Sequence, residues 1–258
     1  MTTASGQQEQ TDTQILSRLW ERNYDPHTFA IIDKLPLAPD WRCLDVGAGS
    51  GSTSRLLAER VPQGSVHAID VDTSELGSVR APCLSVEQLD VTQAEFEPGS
   101  FDLVLARAVV TGLPQAEQEL TRMMRWLAPG GWLLVEDFYF LPSDDAPTAA
   151  GRAVVAAYTG SFRANGADMR LARRLPAYLA QGGLTSVDMR VRPLGPGQGA
   201  DENELMRTRM ELQGHRLVDS GAVTAAELDD FVTSLDRPES RDVTVLQFSV
   251  WGQRQPTG

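Results

Sequence analysis

Three glycines alternate in Asp45-Val46-Gly47-Ala48-Gly49-Ser50-Gly51, immediately after an apolar run that begins near Trp41. Arg55-Leu56-Leu57-Ala58-Glu59-Arg60 follows with the spacing of one apolar helix face, so the order reads strand, tight turn, helix. Glycine permits positive φ and lets a ligand approach where a Cβ would stand, while the helix that follows offers unpaired N–H groups. Such a stretch commits a chain to an α/β architecture with a nucleotide-cofactor loop at the carboxyl end of a strand.

A pyrophosphate loop has the form G-x-G-x-x-G, with its last glycine one position further on than Gly51. Here Asp45 stands two residues before Gly47, where a carboxylate repels a pyrophosphate and suits a cationic ligand. Ser65-Val66-His67-Ala68-Ile69-Asp70 is a β-branched run ending in an acid about 20 residues beyond the loop, where a ribose-binding carboxylate belongs. Asp72, followed by Thr73-Ser74, reads instead as a helix N-cap. A third strand is expected from Cys83 to Leu89, a fourth from Phe101 to Ala106, and a fifth after the Pro129-Gly130-Gly131 turn.

In these motifs the chain resembles the class I S-adenosylmethionine-dependent methyltransferases, whose first motif is acid-x-G-x-G-x-G and whose fifth strand follows Pro-Gly-Gly. The resemblance implies a seven-stranded, mostly parallel Rossmann-like sheet with a last antiparallel strand, helices on both faces, and N-terminal and inserted helices forming a lid. It implies S-adenosyl-L-methionine as cofactor and S-adenosyl-L-homocysteine as product. The expected cofactor contacts are Asp45, Gly47, Ala48, Gly49 and Gly51 in the loop, Asp70 and Val71 at the ribose, Asp90 and Val91 at the adenine, and Arg107 after the fourth strand. From Trp20 to Gln253 the chain resembles bacterial small-molecule methyltransferases, sharing Tyr24-Asp25-Pro26, Ala106-Arg107 and Arg173-Arg174-Leu175-Pro176. Tyr24 is accordingly a candidate lid contact, with a packed turn tyrosine as the alternative. Many relatives carry His-Leu-Pro after the fourth strand, whereas this chain has Gly112-Leu113-Pro114.

The 258 residues suit a single α/β domain, and the composition, 41% hydrophobic and 22% charged, is that of a chain with a sizeable core. A formal net charge of -12 disfavours nucleic acid, whose phosphates call for a basic field. No stretch reads as a membrane span; Glu136 and Asp137 interrupt the most apolar one. Met1 to Gln10 lacks the basic start and apolar run of a signal peptide and reads as a disordered tail. Cys43 and Cys83 set no disulfide framework, so a reducing, cytoplasmic setting is expected. The partner expected is a small-molecule substrate, with the chain acting as monomer or homodimer.

Residues 11–38 should form an N-terminal helical cover of two helices, Thr11 to Asn23 and one around Phe29 to Leu35, ahead of a cofactor core at 41–138. The crossover from Thr73 to Pro82 leaves room for one or two helical turns. Segments 142–182 and 201–236 should be helical substrate caps. Between them Leu184 to Val191 reads as the sixth strand and Pro193 to Ala200 as a Gly/Pro connection. Thr224 with Glu227 three residues on has capping-box spacing, and Asp242 to Trp251 alternates like a closing strand.

Methyl transfer from a sulfonium calls for alignment and exclusion of water more than for acid–base chemistry. His67 lies inside a strand and His27 follows Pro26; His215, on an expected cap helix, is the one histidine weighed as a general base. Glu136 and Asp137, adjacent on a strand, should point to opposite faces and make a poor shared metal site, so no metal is expected. Two other readings stay open: a fold that binds S-adenosylmethionine without turnover, and an NAD-dependent oxidoreductase.

Overall fold

A computed structural model describes residues 4–76 and 80–256. In chain order the elements are α1 (Ala4–Ile32), β1 (Arg42–Val46), α2 (Ser52–Arg60), β2 (Ser65–Asp70), β3 (Leu84–Gln88), β4 (Phe101–Arg107), α3 (Ala116–Trp126) and β5 (Leu127–Phe140). Then come α4 (Ala149–Ala164), α5 (Leu175–Gln181), β6 (Leu184–Leu194), α6 (Ala200–Gln213), α7 (His215–Asp219), α8 (Ala225–Ser234) and β7 (Val245–Arg254).

The seven strands form one sheet in the order β3-β2-β1-β4-β5-β7-β6. Pairing is parallel from β3 through β5. β7 runs the other way: beside β6, the Thr244 N–H donates to the Leu194 carbonyl and the Thr185 hydroxyl to the Gln253 carbonyl, and beside β5, the Leu141 N–H donates to the Thr244 carbonyl and the Gln253 side-chain amide to the Gly130 carbonyl. Strand order reverses between β1 and β4, the switch point beside which open α/β sheets take ligands.

Contacts divide the chain into two compact units. The sheet unit comprises 27–139, 166–191 and 247–258. On one of its faces Cys43, Val66, Leu103, Leu105 and Leu134 pack under Leu57 and Val61 of the α2 region and Ile31 and Ile32 of α1. Each leucine fully removed from water there contributes on the order of 1.5–3 kcal/mol. Burial pushes the Cys43 thiol up to about 12, so it acts as a small apolar residue, and both cysteines are free. The helical unit comprises 1–26, 140–165 and 192–246. Its core joins Val154 and Ala157 of α4 to Met210, Leu217, Phe231 and Leu235.

Several boundaries differ from the sequence reading, each for a physical reason. The two expected N-terminal helices are one, with Pro26 inside it. An interior proline costs about 3 kcal/mol, and here buried contacts fix the turns on either side: Asn23 and Tyr24 bond Glu202, and Thr28 bonds Glu136. α1 also starts at Ala4, within the stretch read as a tail, where Gln and Glu are good helix formers. β6 continues through Pro193 because it is an edge strand, where a missing N–H can face outward. The helix expected from Glu202 to Asp219 breaks at Gly214, where a Cβ would lie 2.3 Å from the Met210 carbonyl oxygen. Part of the Thr73 to Pro82 crossover lies outside the described residues. The capping box is present, with Thr224 N–H donating to Glu227 Oε2 at 2.7 Å and Glu227 N–H to Thr224 Oγ1 at 3.2 Å.

β5 begins at Leu127 and carries Pro129-Gly130-Gly131 as an irregularity, not as a turn before the strand. Phe101 pairs with Leu127 but Leu103 pairs with Trp132, so β5 holds three extra residues. Gly130 has φ +83°, and a Cβ on Gly131 would sit 2.9–3.1 Å from the carbonyl oxygens of Ala128, Asp102 and Phe101.

Candidate cofactor site

The loop after β1 is wound by its glycines, with φ of +66°, +55° and +82° at Gly47, Gly49 and Gly51. The N–H groups of Gly47 and Ala48 both donate to the Ile69 carbonyl, at 2.8 and 3.1 Å, so the loop folds over the end of β2. A Cβ on Gly47 would lie 2.2 Å from Val109 Cγ2, whereas at Gly49, among the described residues, no atom beyond its chain neighbours comes within 4 Å of that position. The first glycine is required by packing; the second opens onto free space.

Asp70 ends β2, and its carboxylate takes two backbone N–H groups. Its Oδ2 accepts the Gly49 N–H at 2.8 Å and its Oδ1 the Asp72 N–H at 3.0 Å. A carboxylate has about four acceptor sites, so each oxygen keeps capacity for a further donor such as a ribose hydroxyl. Val71, next to it, is 64% exposed, an apolar side chain presented to solvent. Asp90 caps the turn after β3: its Oδ1 accepts the N–H and hydroxyl of Thr92, both at 2.8 Å, and no protein donor among the described residues is recorded at Oδ2. Val91 is buried.

Asp45 is committed inward. It is 1% exposed, and its Oδ2 accepts Thr53 Oγ1 at 2.7 Å and Ser54 Oγ at 2.5 Å, in the first turn of α2, where a helix N-terminus favours a carboxylate. Burial raises its pKa, against which the two hydroxyls and Arg107 act. Asp45 fastens the loop to its helix through these two hydroxyls.

Arg107, at the end of β4, donates to Thr28 Oγ1 and Ser52 Oγ, both at 3.1 Å. Thr28 in turn donates to Glu136 Oε2 at 2.5 Å, and Ser249 to Glu136 Oε1 at 2.5 Å. Arg107 and Glu136 are register partners, so a polar row crosses β4, β5 and β7 on one face. Asp137 turns to the other face and accepts the N–H and hydroxyl of Thr111 at 2.9 and 2.6 Å, with its pKa raised by burial. The opposite orientation expected of this pair of acids is present.

Sequence reasoning missed Thr28, Ser249 and Arg122. Arg122, on α3, donates to the carbonyls of Val91, Thr92 and Ala94 and to Glu119, which fixes the turn carrying Asp90 and Val91. No local motif marks such an arginine, because its acceptors are backbone oxygens some 30 residues away in the chain.

Tyr24 belongs to the helical unit. It is 4% exposed, its hydroxyl donates to Glu202 Oε2 at 3.3 Å, and the Arg192 guanidinium lies 5.5 Å from its ring centre. Burial and the Glu202 charge both raise its pKa, so it stays a neutral phenol. Buried Glu202 also accepts from Asn23, and Arg192 donates to the Asn23 carbonyl and Oδ1 at 2.8 and 2.6 Å. His215 is exposed at the first position of the short helix α7.

Residues 44–135, which include this loop and the acids that follow it, match the family described as methyltransferase domain. A trans-aconitate 2-methyltransferase of Methylobacterium radiotolerans is 31% identical over 82% of this chain and 77% of its own length. Another, of Methylobacterium nodulans, is 36% identical over 41% of the chain, which spans 42% of that relative. Methyltransferase str3 of Strobilurus tenacellus is 34% identical over 59% of the chain and 55% of its own length, so the chain spans about half of these two relatives. In fold it is similar to a Haemonchus contortus phosphoethanolamine N-methyltransferase bound to S-adenosylhomocysteine, with TM-score 0.62 and 17% identity, covering 91% of this chain and 53% of that one. The chain belongs to the class I S-adenosylmethionine-dependent methyltransferases.

Proposed function

We propose that this chain transfers a methyl group from S-adenosylmethionine to a small-molecule acceptor. The observation that carries the reading is the Asp70 carboxylate held at 2.8 Å by the Gly49 N–H, which sets a ribose-type acceptor beside the open position over Gly49. The residues fit the cofactor: Asp70 has acceptor capacity left, Val71 offers an apolar surface, and Asp90 has a second oxygen for an exocyclic amine. Bound S-adenosylmethionine supplies a methyl already activated by its sulfonium.

The chain's own part is to position and to exclude water. Gly47 and Gly49 let the backbone approach, Asp45 locks the loop to α2, and Arg107 ties α2 to α1 through Ser52 and Thr28. In this reading no side chain is assigned to take a proton. Two of the relatives bear the name trans-aconitate 2-methyltransferase, which supports assigning the acceptor here to small molecules, secondary metabolites included. Calorimetric titration with S-adenosylhomocysteine and with NAD tests the cofactor. Release of S-adenosylhomocysteine with a panel of small carboxylates, phenols and amines tests turnover. Micromolar NAD binding without S-adenosylhomocysteine binding would refute the reading; binding with no release from any acceptor would leave a sensor of the cofactor in place of an enzyme.

A further inference from the structure

β6 closes one edge of the sheet, and its burial pattern is that of a strand with little on its outer side: Met189 is 47% and Val191 42% exposed. The direction of its main chain follows from one bond. Thr244 N–H donates to the Leu194 carbonyl at 3.0 Å, so even-numbered residues turn their backbone groups to β7 and Val187, Met189, Val191 and Pro193 turn theirs outward. Pro193, with no N–H, stands at an outward position. The Met189 N–H is taken by the neighbouring Asp188 carboxylate at 2.8 Å, as an N–H outside the ladder allows.

Edge strands with outward N–H and C=O groups are templates for pairing, and proteins that keep edges solitary place like charges or prolines along them. Here Pro193 and the positive φ of Ser186 stand at the two ends of the edge, and between them the charges differ in sign, Asp188 and Arg190. Antiparallel pairing with a copy of itself, centred on Met189, sets Val187 against Val191 twice and Met189 against Met189 as hydrogen-bonded pairs, the Met189 N–H passing from the Asp188 carboxylate to the second copy's carbonyl. Asp188 then falls opposite Arg190 of the second copy, twice, at the closely spaced positions where side chains meet best. Arg190 has no recorded partner within the chain among the described residues. Centred two residues later, the pairing would spend an outward position on Pro193. Two residues earlier it would run through Ser186, whose φ of +51° interrupts the strand. Copies carrying -12 each repel at long range, yet this stretch holds one acid, Asp188, and one base, Arg190, so the contact brings no excess of acids together.

We propose that β6 is a self-complementary edge through which two copies of this chain form a two-fold dimer with a continuous fourteen-stranded sheet, twice the seven strands of one copy. This stands on the sheet edge and is independent of the cofactor reading. The isologous geometry makes the charge pair a direct test. Sedimentation equilibrium from 1 to 100 μM should give the wild-type chain a mass of twice 28.1 kDa. Asp188→Arg or Arg190→Asp, each placing like charges face to face, should weaken the dimer by roughly tenfold or more. The double variant D188R/R190D restores both pairs in reverse and should return the dimer. Circular dichroism of each variant confirms that the fold is kept. A wild-type monomer throughout that range overturns the proposal, and so does a double variant no tighter than the singles. A dimer indifferent to both charges, or one seen only with another protein bound, overturns it as well.

Discussion

Gly49 donates its backbone N–H to Asp70 Oδ2, a bond of 2.8 Å between the loop after the first strand and the acid that ends the second. One carboxylate thus shapes the loop and keeps acceptor sites for the ligand. Asp70→Ala removes both, and should weaken S-adenosylhomocysteine binding by about a hundredfold, or ~2–3 kcal/mol for lost charge-assisted bonds. Isothermal calorimetry reads it, and unchanged affinity would remove Asp70 from the site.

The two glycines should separate stability from binding. Both have positive φ, so alanine strains either by roughly 1–2 kcal/mol. At Gly47 the new Cβ also meets Val109, whereas at Gly49 it meets open space. Gly47→Ala should therefore lower the melting temperature further than Gly49→Ala. Gly49→Val should fold yet lose the cofactor. Paired melting curves and calorimetry check the order; a Gly49→Val protein of native affinity would contradict the site.

Asp45 is expected to make stability fall as pH rises. Its pKa is raised in the folded chain, so between the ordinary aspartate value near 3.9 and its higher folded value the native state binds more protons than the unfolded one. The sign of the slope is then negative above about pH 4. Asp45→Asn keeps an oxygen for Thr53 and Ser54 and removes the ionisation. Melting temperatures from pH 4 to 8 should show the variant gaining on the wild type as pH increases, and a difference flat in pH would count against this account.

His215→Ala should lower kcat by less than about tenfold, because a general base contributes ~10²–10⁴ and His215 is exposed at a helix start. A thousandfold loss with cofactor affinity intact would make it the base. The rate of S-adenosylhomocysteine release, once an acceptor is found, decides.

What the sequence disclosed follows the range of the forces involved. The loop from Gly47 to Gly51 is local, because positive φ at alternate positions leaves its mark as glycine; Asp70, which ends β2, and Asp90, two residues past β3, follow runs whose period can be counted. The capping box at Thr224 joins residues only three apart in the chain and was legible for the same reason. By contrast, Thr28 to Glu136 spans 108 residues and Ser249 to Glu136 spans 113, so their meeting depends on strand register and helix placement. Pro26 and Pro193 misled in the same manner. Proline states what a backbone position lacks, and only tertiary context decides whether the lack is felt: in α1 packing on both sides overrides it, and in β6 the missing N–H points to the free edge.

The three surplus residues that β5 carries around Pro129-Gly130-Gly131 act as a phase setter for everything downstream on that strand. Because an odd number is inserted and side chains alternate, these residues determine which of Glu136 and Asp137 looks toward Thr28 and which toward Thr111. With Gly130 deleted, a slip of the distal ladder by one residue would leave every side chain there intact and still exchange the two acids between faces. Two buried carboxylates would then each confront the wrong lining. The distal half of the site is timed by a spacer that touches none of it.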